Sequence, residues 1–428
     1  MRILPLLLLV LVHLLPLPRA MAGEVCADDV VTAASAIKAF HQSAGEDLLM
    51  TRSIGIERAA LDEIVAAARG YLDGRPGQAV LVYGWDERDF CVLLFVPGGG
   101  QPVYVRHAGK RQVVEAGAQE LRLAISAGLS RGVRRAARLR AIGVPEEISQ
   151  AAVSDLPDPL KRLSQLLFPA ELAPRLAETK GLTIVPVGPL ATLPLYAMDG
   201  FGKGPVIDRY TLTLLPLLAD LKAKPLRFLP GFQNMLVMAN GTPADHDFEF
   251  PSLPGTLAEA QHLQGLFKGH IFEGQEAEHA IYDTYAPKAD LIVMATHGVA
   301  DPQSPMDGGF LALGDGRLTA RTIQQLPLDA LPVVVLSACQ SGLGRTMDAG
   351  IVGVARAFHL AGAATTVMSL WNVDDESAAY LMTRFYDGMN SLEPAQALRQ
   401  AAIETRKTYP GFSHWAAFAS FGPAMVDN

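Results

Sequence analysis

Apolar and polar positions change rhythm along this chain. From about residue 28 to 73 the apolar residues recur with helical spacing and stop at Gly74-Arg75-Pro76, which predicts a helical segment. Three runs rich in β-branched and aromatic residues follow, at 79–85, 91–96 and 103–107. Pro97-Gly98-Gly99-Gly100 lies between the last two, so they predict a strand meander. Amphipathic helices are expected over 113–167, then a strand over 182–186 and a turn-rich loop over 187–194. Beyond residue 234 the pattern becomes a regular alternation. Strands are predicted at 235–239, 270–272, 291–296, from 333 and over 364–370. Helices are predicted at 256–267, 277–285, 320–325, 350–360 with Gly362 as cap, and 376–390, with a hairpin at Gly314-Asp315-Gly316. Strands alternating with helices of about ten residues describe a parallel, doubly wound α/β sheet.

Two of these runs end in chemistry. Leu291-Ile-Val-Met-Ala-Thr-His297-Gly298 and Val333-Val-Val-Leu-Ser-Ala-Cys339-Gln-Ser-Gly342 are unbroken apolar stretches that stop at a reactive side chain. Absence of alternation is what a strand buried on both faces of a parallel sheet requires. In such sheets ligands bind beyond the carboxyl ends of the strands. If the two strands are neighbours, imidazole and thiol share one cleft, as in a cysteine-histidine hydrolase. A thiol at its ordinary pKa of about 8.5 needs a base beside it, and His297 can supply one. Both residues lead into glycine-containing turns whose backbone N–H groups suit an oxyanion. The competing reading is structural, since cysteine and histidine are both common in cores.

A third strand end, Leu370-Trp371-Asn372-Val373-Asp374-Asp375-Glu376, closes with acids. Asp374 and Asp375 could select a basic side chain by charge-assisted hydrogen bonds, although each alone reads first as the N-cap of the helix that follows.

Charge and cysteine content narrow the class. The formal net charge of −8 argues against general nucleic-acid binding. Arg2, the apolar run Ile3–Leu17 and Ala20-Met21-Ala22 read as a signal peptide cleaved before Gly23, so the protein is expected to be exported, periplasmic or secreted. Pro5, Pro16 and Pro18 interrupt the run, and it falls short of the ~20 residues of a spanning helix, so no stable span is expected after cleavage. With three cysteines in an exported chain, a Cys26–Cys91 disulfide is expected, leaving Cys339 as the reactive thiol; full reduction of all three stays open.

The remaining constellations are weaker. Arg131, Arg134, Arg135 and Arg138 share one helical face, read as solvated in preference to a dock for an acidic partner. Asp245-His246-Asp247 lacks the second cluster that a metal site needs, and Gly342-Leu343-Gly344 lacks the rest of a nucleotide fingerprint. No cofactor or metal is expected.

The ordered set Ile184–Pro194, Ala258-Glu259-Ala260, Ala295-Thr296-His297-Gly298, Leu336–Gly342, Gly353–Phe358, Ala361-Gly362-Ala363, Leu370–Asp375 and Trp415–Phe418 resembles the CHAT domain family. Its members are caspase-like cysteine peptidases related to separase, gingipain and caspases. The resemblance runs from about residue 180 to 422, with the meander as the start of the same unit. It implies a caspase-like three-layer α/β/α fold with a mostly parallel sheet. Residues 1–22 are then the signal peptide, 23–75 a helical segment, 76–230 a degenerate pseudo-caspase half and 231–428 the catalytic half. It further implies His297 as catalytic histidine, Cys339 as nucleophile, and the backbone N–H groups of Gly298 and Cys339 as oxyanion hole. Asp375, aligned better than Asp374, would bind an arginine or lysine before the scissile bond of a protein or peptide substrate. The stretch before the meander is too short for a tetratricopeptide array, which leaves an activating protein partner open. The rival function is a non-catalytic scaffold that keeps the fold and has lost turnover.

Overall fold

The computed structural model describes residues 61–85, 88–98, 102–125, 158–245, 247–337, 345–347 and 350–426. The expected signal peptide, Cys26, the Arg131–Arg138 face, His246 and the segment 338–344 containing Cys339 lie outside the described residues.

Helix α1 (Leu61–Asp73) precedes the meander β1 (Gln78–Trp85), β2 (Phe90–Phe95) and β3 (Val103–His107). Residues 111–125 are helical. Then come α2 (Asp158–Leu167), β4 (Gly181–Val185) and β5 (Thr211–Leu214). The alternating part runs β6 (Met235–Asn240), α3 (Gly255–Leu266), β7 (Gly269–Glu273), α4 (His279–Tyr285), β8 (Leu291–Thr296), β9 (Gly298–Val299), β10 (Phe310–Ala312), β11 (Arg317–Thr319), α5 (Ala320–Gln325) and β12 (Val333–Leu336). It continues with β13 (Arg345–Met347), β14 (Gly350–Val352), α6 (Val354–Ala361), β15 (Thr365–Ser369), α7 (Asp375–Gly388), α8 (Pro394–Thr408), α9 (Phe412–Trp415) and β16 (Phe418–Phe421).

Eleven of these strands form one sheet, in the order β3-β2-β1-β4-β5-β16-β15-β12-β8-β6-β7. β15, β12, β8, β6 and β7 are mutually parallel, as are β1, β4, β5 and β16. The two blocks meet where β16 lies antiparallel to β15. Both chain ranges set apart by the sequence thus contribute to a single sheet, and the last strand lies between them.

The first two strands of the meander show why they carry no polar face. Ala79, Leu81, Tyr83 and Trp85 of β1 enter the main core, whereas Val80 and Val82 enter a second cluster with Val65, Ala68 and Leu72 of α1. In β2, Phe90, Val92 and Leu94 take the first side and Cys91, Leu93 and Phe95 the second. A strand covered on both faces reads as continuous apolar sequence. Each fully buried side chain of this size contributes about 1.5–3 kcal/mol.

One element differs from expectation. The helix predicted from Gly350 starts at Val354, because Gly350–Val352 pairs with Arg345–Met347 as a hairpin. Its end is as expected. Gly362 adopts φ 118° and donates to the carbonyls of Phe358 and His359, and a Cβ there would meet the Leu328 carbonyl oxygen at 3.0 Å. Among the described residues no helix is long and apolar enough to cross a membrane.

Candidate active site

Strand pairing aligns the two reactive strand ends. β12 and β8 are parallel neighbours, with Val333 opposite Leu291 and Leu336 opposite Met294. His297 follows Met294 by three positions, and in the sequence Cys339 follows Leu336 by the same three. The geometry of Cys339 itself lies outside the described residues.

His297 is 6% exposed, and its surroundings fix its tautomer. Its Nε2 lies 2.8 Å from the Pro251 carbonyl oxygen, which can only accept, so this nitrogen carries the proton and the lone pair of the neutral ring sits on Nδ1. Phe250 stacks on the imidazole at 4.7 Å between centroids and 18° between planes. Burial pushes the His297 pKa below its ordinary value, opposed by the carbonyls of Pro251 and Gly241 and by the charge of Asp375. At neutral pH the ring is therefore an uncharged base. Gly298 opens β9 opposite Leu311 of β10, which places its peptide at the rim beside His297. Below the ring, the Thr296 hydroxyl sits between the carbonyls of Asn240 (3.0 Å) and Ala312 (2.5 Å), tying the end of β8 to both neighbouring segments.

The two acids divide their roles. Asp374 is the N-cap of α7, its carboxylate accepting from the Ser377 N–H at 3.2 Å. Asp375 faces the start of α3 and accepts from the Gly255 N–H. Gly255 permits that approach, since a Cβ there would lie 3.1 Å from Asp375 Oδ1. Burial raises the Asp375 pKa against the Gly255 bond, the neighbouring Asp374 adds to the rise, and His297 offsets part of it.

Asp375 lines a small, open cleft together with Gly255, Glu259, Ser337, Ser369 and Phe418. These residues come from the ends of β12 and β15, the start of β16 and the helices α3 and α7, so the cleft sits beyond the carboxyl ends of the parallel strands. Glu259 stands out. Its carboxylate accepts from the Ser337 hydroxyl at 2.7 Å and from the Tyr386 hydroxyl, and burial pushes its pKa up to about 7. Ser337 follows β12 and lies two residues before Cys339 in the sequence, so Glu259 anchors the chain at the end of that strand.

Glu259 makes a measurable prediction. Its ordinary value of 4.5 applies in the unfolded chain and about 7 in the folded one, so the unfolded state ionises first and stability falls as pH rises between them. Glu259→Gln keeps the shape and can bond both hydroxyls without a charge. Its thermal midpoint should exceed that of the parent above pH 7, by a stability difference on the order of 2 kcal/mol, and the two should converge below about pH 4. Parallel melting curves that stay offset by the same amount at both pH values would contradict this.

Sequence reading missed two parts of the site. Glu259 was legible only as part of a family motif, because a carboxylate on an amphipathic helix gives no sign that it turns inward. Asp245 and Asp247, set aside in the sequence as an incomplete metal cluster, lie in a loop and form ion pairs with Arg317. Among the described residues no group of His, Cys, Asp and Glu is arranged to hold a metal. Cys91 is buried in β2, its thiol 3.3 Å from the Gly84 carbonyl; the expected partner Cys26 is outside the described residues.

The mixed α/β architecture and the site at the sheet's carboxyl edge define a caspase-like fold. The CHAT domain model matches residues 157–423, well over half of the chain, and the protein belongs to the CHAT domain family. The Saccharomyces cerevisiae separase in its complex with securin overlays with a TM-score of 0.55 at 10% identity, covering 93% of this chain and 34% of that one. Gingipain R, an Arg-specific cysteine proteinase, overlays at 0.43 with 13% identity over 65% of this chain and 70% of that one. Tetratricopeptide repeat protein 28 of Mus musculus is 32% identical over 108 residues, 24% of this chain and 4% of that protein. The chain thus spans about a third of separase and a small part of the repeat protein.

Proposed function

We propose that this chain is an exported cysteine endopeptidase that cleaves after a basic residue. The observation that carries the reading is the registered pair of strand ends. It supports a base at His297, with its lone pair on Nδ1, which is coupled by charge to Asp375 in the cleft that also holds Glu259. In the proposed reaction Nδ1 takes the Cys339 thiol proton and the thiolate attacks the peptide carbonyl. The backbone N–H groups of Gly298 and Cys339 hold the oxyanion, and the imidazolium returns the proton to the leaving amine. Water then hydrolyses the thioester. The Pro251 carbonyl and the charge of Asp375 both favour the transient imidazolium. A guanidinium or ammonium in the cleft would neutralise Asp375, whose burial otherwise opposes its charge.

The test is labelling with an arginine-bearing peptidyl acyloxymethyl ketone, with the site mapped by mass spectrometry. The parent should be modified at Cys339, and Cys339→Ala should not react. A folded, reduced parent that takes no label, alone or with candidate activating proteins, would favour the scaffold reading. Export predicts a mature protein starting at Gly23, which N-terminal sequencing of the secreted product reads directly.

A further inference from the structure

The loop between β6 and α3 supplies both contacts that orient His297, the Phe250 ring and the Pro251 carbonyl, yet it carries no helix or strand of its own. Its anchor is Arg317 on β11. The guanidinium Nε donates to Asp245 Oδ2 at 2.7 Å, and Nη2 donates to Asp245 Oδ1 at 2.6 Å and to Asp247 Oδ2 at 2.7 Å. The Asp245 side chain is only 5% exposed, and it also accepts from the N–H groups of Asp247 and Phe248 at 2.8 and 3.2 Å. One carboxylate therefore binds the arginine and closes its own loop's turn.

The contacts continue without a break to the imidazole. The Arg317 guanidinium lies over the rings of Phe310 and Phe248, at 4.7 and 5.4 Å from their centroids. Phe248 stacks on Phe250 at 5.7 Å and 9°, and Phe250 stacks on His297. Arg317 is also tied from the other side. β11 pairs with β10, whose Phe310 is opposite Val299 just after His297, and the Arg317 carbonyl lies 3.2 Å from His279 Nε2. The arginine thus joins the two loops that flank the base.

We propose that Arg317 is a positioning residue for His297, holding the β6–α3 loop so that Phe250 and Pro251 fix the plane and tautomer of the imidazole. An exposed ion pair contributes little and would not do this. Here the fork is bidentate, one partner is buried, and the rings complete the path. Catalytic groups must be held within about 0.5 Å, and a displacement of about 1 Å can cost on the order of 100-fold in rate. The proposal rests on His297 acting as the base, and its test separates the two ideas.

The experiment compares the parent with Arg317→Met, Arg317→Lys and Asp247→Asn. Arg321→Met serves as a control, since Arg321 forms an exposed pair with Asp307 near the same hairpin. Two readouts are used: the Nε2–H resonance of His297 in protein labelled with 15N-histidine, assigned with His297→Gln, and the alkylation rate of Cys339 by iodoacetamide at pH 7. Arg317→Met should lose the Nε2–H resonance and alkylate roughly 30- to 100-fold more slowly. Arg317→Lys should recover part of both, Asp247→Asn should show a smaller loss, and Arg321→Met should match the parent. Retention of the resonance in a folded Arg317→Met protein would overturn the proposal, and so would loss of it in Arg321→Met. If Arg317→Met does not fold, Asp247→Asn decides: an unmoved resonance and rate there overturn the clamp. Loss of the resonance in a protein whose parent thiol reacts no faster than free cysteine would leave the positioning role standing and remove the catalytic reading instead.

Discussion

His297→Ala should slow alkylation of Cys339 by an arginine-bearing peptidyl acyloxymethyl ketone, which loses its carboxylate as the thioether forms, by 10²- to 10⁴-fold, the range typical of a positioned general base. The pH profile should change shape as well. His297 is held below its ordinary value of 6.5, chiefly by burial, and a base acts in its deprotonated form. The parent's rate should therefore climb with pH through an inflection below 6.5 and stand at its plateau across neutral pH. In the variant the only remaining route to thiolate is the ionisation of the thiol itself, so the residual rate should rise with an inflection near about 8.5. Single-turnover labelling from pH 5 to 9 reads both features. A variant that keeps the low-pH inflection would show that another group, not His297, activates the thiol. Glutamine in place of the histidine can keep a donor toward Pro251 while offering no base. His297→Gln should thus fold better than alanine and lose the same rate.

The sheet and the strand ends were legible because burial on both faces writes itself into sequence. Leu291–Thr296 and Val333–Leu336 contain no charged residue and stop abruptly, which located the carboxyl edge before any coordinate did. Gly362 marked a helix end because only a residue without a side chain sits comfortably at φ 118° there. Elements that depend on long-range pairing left less trace. β5 and β16 have four residues each, and their place at the seam, with β16 parallel to β5 and antiparallel to β15, comes from partners far away in the chain. α8 was readable and went unread, since Glu393 caps it, Pro394 occupies its first turn and Arg406 with Lys407 fall in its last. β14 falls within the range predicted as helix because Gly350 and Val354 both fit a helical period, and only pairing with Arg345–Met347 tells strand from helix there. At the site, the histidine and the acids were found from their strand ends. Their supports were not, because Glu259, Pro251 and Arg317 act through contacts that span 46 to 127 positions, with no local pattern.

Asp375→Asn should abolish the preference for a basic side chain while leaving the reactivity of Cys339 toward small reagents nearly intact. The carboxylate lines the cleft and is partly desolvated, so a cation that reaches it gains a charge-assisted hydrogen bond. Asp375 is still exposed in the free protein, so the value for a hydrogen bond to a charged group applies, about 1.5–3 kcal/mol or roughly 10- to 150-fold in kcat/KM for an arginine substrate. A norleucine substrate of similar length should change by less than a few-fold, so the ratio between the two reports the carboxylate rather than general damage. The pH dependence has a definite sign. Burial raises the Asp375 pKa above its ordinary value and pushes that of Glu259 up to about 7, so each carboxylate loses its charge at a higher pH than it would in water, Glu259 as pH falls through about 7. Preference for arginine should therefore strengthen from pH 5 to 8 in the parent. In Asp375→Asn only the weaker rise due to Glu259 should remain, and in the double variant with Glu259→Gln none. Binding of the cation should also expel the protons that these acids share, seen as a buffer-dependent binding enthalpy for an arginine peptide on the Cys339→Ala protein. An arginine-to-norleucine ratio that is unchanged in Asp375→Asn would remove the basic-residue assignment and leave the cysteine chemistry untouched, because Asp375 reaches the base only through its field whereas Pro251 and Phe250 touch it.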